Sequence, residues 1–237
     1  MPKNLKYDIA VSLGENCQTR YHISRIQQNY NDCRNDLMVA NKHNSMNLGN
    51  GSHFFDWSVS SITSVRKTLE TNFKNCFILD NLEIIQLGKN QTVMDNGSNI
   101  SYPHTFPGTT DGLLNYKTLE MNYQNIKNKY LYLADKTEKL LENSELKKLF
   151  IINILSSKID KFTLSEIKLL RETLLGFSDK NDLLIVILEN ELNFKRDSIV
   201  NNQSTQSFVR HGVYKPYPGH TESWDIIFKN FKFNFIV

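Results

Sequence analysis

The stretch Ile9-Ala10-Val11-Ser12-Leu13-Gly14-Glu15-Asn16-Cys17 decides how the rest of the chain is interpreted. Its first five residues are small or apolar and predict a buried strand. The next three, Gly14-Glu15-Asn16, have the composition of a turn, and Cys17 then opens a predicted helix that runs to Gln28. Hydrolases that carry a nucleophile on a strand–turn–helix segment use the same order of elements.

Cys17 is the first candidate for chemistry. A thiol at a helix N-terminus lies beside unpaired backbone N–H groups and the positive end of the helix dipole. We therefore expect a lowered pKa and a nucleophilic role for Cys17, with Gly14 and Asn16 in the turn as substrate-binding residues. The alternative is a small buried hydrophobe, because free cysteine is among the most buried residue types.

Length and composition indicate an ordinary globular protein. The chain has 237 residues, 40% of them hydrophobic and 22% charged. Residues 1–237 are expected to form one domain, with a polar loop at about 29–52 that leaves His53 solvated. A formal charge of +3 does not favour a nucleic-acid partner. The longest apolar runs are far too short to span a membrane.

The cysteine pattern and the motif search argue against bound metals and cofactors. Cys17, Cys33 and Cys76 leave one thiol unpaired in any disulfide scheme, and none belongs to a C-x-x-C pair. The chain has no phosphate loop, dinucleotide fingerprint or H-E-x-x-H motif, so neither a cofactor nor a metal is expected. Few cysteines and an N-terminus without an apolar signal run lead us to expect a cytoplasmic protein.

The remaining pattern predicts an α/β or α+β fold with a mixed sheet flanked by helices. The clearest helix is predicted over 116–142, where apolar residues recur at steps of three, four and seven. Strand 149–155, a helix opening at the capping box 163–166, and strand 183–188 form a strand–helix–strand unit typical of a parallel sheet. A hairpin is predicted over 91–106 because a turn signal separates two short strands.

A second motif, Phe54-Phe55-Asp56-Trp57, follows the predicted polar loop. Together with Val11-Ser12-Leu13-Gly14-Glu15-Asn16-Cys17 it resembles a bacterial family of papain-like cysteine peptidases, whose members have strand–SLG-x-x-C–helix and then P-F-D-W. Members also have a later F-x-H-D-F motif. Its counterpart here is Ser101-Tyr102-Pro103-His104-Thr105-Phe106, in which Thr105 replaces the acid. The resemblance covers about residues 7–175.

The resemblance implies a thiol-dependent hydrolase or acyltransferase with a papain-like fold. Cys17 would be the nucleophile and His104 its base, in the Cys-then-His order of papain-like enzymes. Asn153 or Asp56 would orient the histidine; Asn153 is a polar residue inside an apolar strand and must find a partner. The substrate would be a peptide, an acyl compound or a glycan.

Asp56 and Trp57 also have structural interpretations. Asp56 stands just before a helix predicted over 58–73 and would cap it. Trp57 is expected in the core, or alternatively in a substrate pocket.

Two other functions stay open at this point. A nucleophile directly after the first strand also resembles esterases of the SGNH type, in which His211 or His220 would replace His104. The parallel unit favours that fold, and the missing D-x-x-H motif counts against it. The third interpretation is a glycosyltransferase-like or polysaccharide-binding domain in which Cys17 is structural.

Overall fold

The computed structural model describes residues 5–15, 17–35, 52–87, 90–108, 114–189, 201–202, 207–213, 220–229 and 231–233. Within these residues a larger, mostly parallel sheet, a smaller antiparallel sheet and a two-stranded parallel pair are flanked by five helices. The predicted α/β class is therefore confirmed.

The strands and helices have the following bounds. The strands are β1 (Leu5–Tyr7), β2 (Ile9–Ser12), β3 (Val59–Ser60), β4 (Leu82–Leu87), β5 (Asn90–Asp95), β6 (Ile100–Tyr102), β7 (Lys148–Leu155), β8 (Asn181–Glu189), β9 (Asn201–Asn202), β10 (Ser207–Val213) and β11 (Phe231–Phe233). The helices are α1 (Gln18–Asn35), α2 (Ile62–Glu70), α3 (Tyr116–Glu142), α4 (Lys161–Phe177) and α5 (Thr221–Phe228).

The larger sheet has the order β2-β7-β8-β10-β9, and its first four strands run parallel. β9 pairs antiparallel with β10 at the edge, so the sheet is mixed. Helix α4 connects β7 to β8, which is the strand–helix–strand unit that the sequence predicts. Parallel pairing puts the C-terminal ends of β2 and β7 at one edge of the sheet, where the turn to Cys17 begins.

Both faces of this sheet are covered. Val11 on β2 and Ile152 on β7 belong to a core cluster shared with the antiparallel sheet. Their neighbours Ala10 and Ile151 belong to a second cluster built around Trp224 of α5. Because successive side chains of a strand point to opposite faces, a strand covered on both sides is largely apolar, and in β7 only Lys148 and Asn153 interrupt the apolar run.

The smaller sheet has the order β3-β6-β5-β4 and is antiparallel. Strands β5 and β6 form the hairpin predicted over 91–106. The aromatic rings of Phe77, Tyr102 and Tyr130 pack against it, with Tyr130 of α3 stacked on Phe77 at 4.2 Å between ring centroids. This cluster fixes the segment that follows β6, which contains His104.

Two helix boundaries differ from the prediction. Helix α1 continues to Asn35 and so occupies the start of the predicted polar loop at 29–52; the rest of that loop, up to residue 51, lies outside the described residues. Helix α2 is shorter than 58–73, because Val59 and Ser60 pair with β6 as β3.

The helix N-caps also differ from the prediction. Ser61, and not Asp56, caps α2, with the Ser64 backbone N–H donating to Ser61 Oγ. Asp160, and not Thr163, caps α4, with the Thr163 backbone N–H donating to Asp160 Oδ1 at 2.7 Å.

Candidate functional site

The turn between β2 and Cys17 is seated against β3. Gly14 has φ +86°, and a Cβ atom placed there would lie 2.2 Å from Ser60 Oγ. The same Cβ would lie 3.5 Å from the carbonyl oxygen of Phe55, so the Phe-Asp-Trp segment directly abuts this turn. Ser60 Oγ donates to the carbonyl of Leu13 at 3.3 Å. Glycine is required here because both the backbone angle and the close approach exclude a side chain.

Cys17 is at the N-terminus of α1, as predicted. The Tyr21 backbone N–H donates to the carbonyl of Cys17 at 3.0 Å, which closes the first helical turn. The thiol is half-buried, and burial raises its pKa above the ordinary value, although a hydrogen bond from its own backbone opposes the shift. The expectation of a lowered pKa is therefore wrong for the substrate-free protein: desolvation outweighs the helix terminus.

Asp56 lies in a buried ion pair that the sequence does not predict. Arg20 Nε and Asp56 Oδ2 are 3.3 Å apart, and the two side chains are 9% and 0% exposed. The backbone N–H of His53 also donates to Asp56 Oδ2, at 2.7 Å. Burial nevertheless raises the pKa of Asp56 to about 6, because desolvation outweighs the attraction of Arg20, the His53 N–H and Lys136.

The position of Arg20 links the segment that contains Cys17 to the Phe-Asp-Trp motif. Arg20 follows Cys17 by three residues, and residues three apart share one face of a helix. The face that carries Cys17 is therefore turned toward the segment containing Asp56. Phe54 anchors this segment by packing on Phe73, with 4.6 Å between ring centroids. The motif thus places the rings of Phe54 and Phe55 in the core and presents the Asp56 carboxyl to α1.

Trp57 is not a core residue. It is 38% exposed, and its indole N–H donates to Ser52 Oγ at 3.4 Å. The core interpretation is therefore wrong, and a role in substrate binding stays a prediction. A role in substrate binding likewise stays a prediction for Gly14, which is buried. Asn16, the other predicted substrate-binding residue, lies outside the described residues.

His104 is exposed, on the turn that follows β6. The pairing of Val59 with Ser101 is antiparallel, so the chain leaves β6 at the end where the Phe-Asp-Trp segment enters β3. The neighbouring Thr105 is held by a 2.8 Å hydrogen bond between its hydroxyl and that of Tyr130. The turn is therefore fixed on the side of the molecule that carries Asp56; the pairing of His104 with Cys17 stays a prediction.

Asn153 is buried in β7 and contacts the first turn of α1. Thr19 Oγ1 donates to Asn153 Oδ1 at 3.1 Å. This bond ties β7 to a residue two positions after Cys17. The predicted orientation of His104 by Asn153 stays a prediction.

The other histidines have distinct environments. His220 caps α5, with the Ser223 backbone N–H donating to its Nδ1 at 3.2 Å. His22 is buried, with its ring stacked on Trp224 at 5.0 Å. His53 is buried beside Asp56, so the expectation that it is solvated is wrong. The side chain of His211 lies outside the described residues.

Sequence reasoning missed three members of this site: Arg20, His53 and Lys136, whose ammonium donates to the carbonyl of Ser52 at 3.2 Å. One signal was available for Arg20, because a basic residue three positions after Cys17 must share its helix face. His53 directly precedes the Phe-Asp-Trp motif, but its sequence position in the polar loop suggested a solvated side chain; nothing in the local sequence marks Lys136.

The described residues include no group of three or more His, Cys, Asp or Glu side chains placed to hold a metal ion. Over the same residues no helix combines the length and the apolar character that crossing a bilayer needs.

Comparison with known proteins gives one match. No curated protein and no solved structure matches the chain. A family model matches residues 31–188, which is more than half of the chain. The matched range contains the Phe-Asp-Trp motif, His104 and Asn153, and it begins after Cys17, so it differs from the expected range of 7–175. The chain belongs to the family described as "Putative papain-like cysteine peptidase (DUF1796)".

Proposed function

We propose that the protein is a cysteine-dependent hydrolase or acyltransferase in which Cys17 attacks the carbonyl carbon of its substrate. The observation that carries this proposal is the buried Arg20–Asp56 pair, which holds the Phe-Asp-Trp motif against the helix that Cys17 begins. Burying a charge costs free energy, and proteins commonly accept that cost at functional sites.

Proton transfer is assigned to His104. Because burial raises the pKa of the Cys17 thiol, the thiol is protonated at neutral pH, and attack requires a base. His104 removes the thiol proton as the sulfur attacks and returns it to the leaving group. Backbone N–H groups at the start of α1 stabilise the oxyanion that forms, and water or another acceptor then releases the acyl group.

Asn153 and Asp56 support this machinery. Asn153 holds the first turn of α1 through Thr19, and Asp56 holds it through Arg20. The substrate is a peptide, an acyl compound or a glycan. The free thiols of Cys17 and Cys76 fit a reducing compartment such as the cytoplasm.

The test uses p-nitrophenyl acetate and a fluorogenic peptide amide as acyl donors. Wild-type protein is expected to release p-nitrophenol and to carry an acetyl group on Cys17, located by mass spectrometry of its peptides. Cys17→Ala is expected to lose both signals, whereas Cys76→Ala, which removes a buried thiol elsewhere, retains them. Turnover by Cys17→Ala at the wild-type rate would overturn the proposal.

A second comparison distinguishes His104 from His220 as the base. His104→Ala is expected to slow acylation by about 10²- to 10⁴-fold. The matched control is His220→Asn, because asparagine preserves the helix cap of α5. Loss of activity in His220→Asn with full activity in His104→Ala would favour the esterase-type arrangement instead.

A further inference from the structure

A small cleft opens at the edge of the parallel sheet where β2 and β7 end. It has a volume of about 130 Å³ and is formed by Glu15, the start of α2, the end of β7 and the start of α4. Ile62 and Ile154 line it as buried apolar side chains. Phe162 lines it from the first turn of α4 and is 64% exposed.

The position of the cleft links it to the proposed nucleophile. In α/β proteins, ligands bind in the crevice outside the carboxyl ends of the parallel strands, and this cleft lies there. Glu15 is two residues before Cys17, so their Cα atoms are at most about 7.6 Å apart. A group attached to a carbonyl at the Cys17 thiol is therefore within reach of the cleft.

The charges around the cleft are paired with one another. Lys158 Nζ lies 2.7 Å from Glu15 Oε1, and Arg66 Nε lies 3.0 Å from Glu166 Oε2. These pairs leave the cleft without a free charge for a carboxylate or an ammonium group of a ligand. Ile62, Ile154 and Phe162 form the apolar part of the lining, beside the hydroxyl side chains of Ser61, Thr63 and Thr163, and they favour an uncharged group with an apolar body.

The volume limits the size of that group. An apolar cavity of roughly 150 Å³ holds a benzene ring, and the volume here is close to that value. A branched aliphatic side chain or a single aromatic ring fits, whereas a long acyl chain extends past the exposed Phe162.

We propose that this cleft receives a compact apolar group on the acyl part of the substrate, and that Phe162 determines the specificity for it. The inference rests on the proposed role of Cys17 as nucleophile. It narrows the substrate to acyl compounds, peptides included, that carry a branched aliphatic or single-ring group near the reacting carbonyl.

The first test compares two alkylating agents, iodoacetamide and N-benzyl iodoacetamide, at pH 9. Rates of Cys17 modification are measured by mass spectrometry, and glutathione gives the intrinsic ratio of the two reagents. In the wild-type protein the rate with the benzyl reagent, divided by the rate with iodoacetamide, is expected to exceed the glutathione ratio by about fivefold. Phe162→Ala is expected to lose this preference for the benzyl reagent. Leu164→Ala is expected to retain it, because Leu164 is a similarly exposed residue of α4 that lies outside the cleft. An unchanged ratio in Phe162→Ala overturns the assignment of the cleft.

The second test does not depend on Cys17 chemistry. Cys17→Ala protein is titrated with N-benzylacetamide, and NMR follows the Phe162 ring, the Ile154 methyl groups and, as a control, the Leu164 methyl groups. Shifts at Phe162 and Ile154 without shifts at Leu164 support the cleft. Absence of shifts at Phe162 and Ile154 overturns it, even if Cys17 is acylated. If these shifts are observed but wild-type Cys17 is not acylated in the ester assay, the binding site is supported and the proposed function is overturned.

Discussion

Arg20 and Asp56 form an ion pair in which neither side chain is more than a tenth exposed. The pair connects the first turn of the cysteine helix to the acid of the Phe-Asp-Trp motif. It also brings together parts of two layers, because α1 follows a strand of the parallel sheet and Asp56 precedes β3 of the antiparallel sheet. The candidate site therefore lies where the two sheets meet.

Removing one partner of this pair should be costly. Asp56→Ala is expected to lower the free energy of unfolding by about 3 to 5 kcal/mol, because the buried Arg20 guanidinium and the His53 backbone N–H would lose their acceptor. Replacing both residues by apolar ones, Arg20→Met with Asp56→Leu, should recover most of that loss. Urea unfolding of the single and double variants measures both effects. Equal losses in Asp56→Ala and in the double variant would show that the pair itself is not what the fold requires.

Asp56 should also make stability depend on pH. Its pKa is raised to about 6 in the folded protein, against about 3.9 in an unfolded chain. Its contribution to stability is therefore fully present below about pH 3.9 and is lost as the pH rises through 6. Relative to Asp56→Asn, the wild-type free energy of unfolding is expected to fall by about 2 kcal/mol between pH 4 and pH 7.

Comparing the wild-type protein with Asp56→Asn removes the contribution of the other titrating groups to the pH dependence. Arg20, Lys136 and His53 face Asp56 and are present in both proteins. Urea titrations at half-unit pH steps provide the measurement. A difference between the two proteins that does not change with pH would contradict the raised pKa.

Cys17 and Cys76 should differ in accessibility, and neither should be an activated thiol in the substrate-free protein. Burial raises the pKa of Cys76 to about 12, and the pKa of Cys17 is raised as well. Cys17 is expected to react with iodoacetamide with a midpoint above about 8.5, and Cys76 only after unfolding in urea. The rate at each cysteine between pH 7 and pH 10 checks this. A Cys17 midpoint at or below 8.5 would contradict the raised pKa.

Gly14 should be intolerant of any side chain. Gly14→Ala places a Cβ atom 2.2 Å from Ser60 Oγ at a positive φ, so a lower melting temperature and displacement of the Cys17 turn are expected. Gly176→Ala is the matched control, because a Cβ atom there meets nothing within 4 Å in helix α4. That control should be neutral or stabilising by up to about 1 kcal/mol. Thermal unfolding compares the two; similar melting temperatures would mean that the turn can adapt.

The sequence predicted long elements well. Helix α3 spans 116–142, as expected, because its apolar stripe extends over its whole length. Strands β7 and β8 were predicted to within two residues, since their apolar runs end at polar turns. The two-residue strand β3 was missed because its only signal is its pairing with β6, 40 residues away at Ser60 and Ile100.

The candidate site was predicted less well, for a physical reason. The helix-terminus argument for Cys17 uses local geometry, whereas desolvation, which decides the direction of its pKa shift, depends on the surrounding fold. The local sequence likewise suggests a helix cap for Asp56, and its actual partner, Arg20, comes from another part of the chain. Burial and long-range pairing are properties that no local pattern contains.

The Arg20–Asp56 pair has a consequence for the connection between the two motifs. By joining residues 20 and 56, it closes a loop at its base, and the entropic cost of such closure grows only logarithmically with the number of residues enclosed. Doubling the length of the connection would cost about 0.6 kcal/mol, which is small beside the several kcal/mol at stake in a buried ion pair. Insertions between the motifs are therefore cheap. A chain built in this way can lengthen or diversify that connection while Cys17 stays in place.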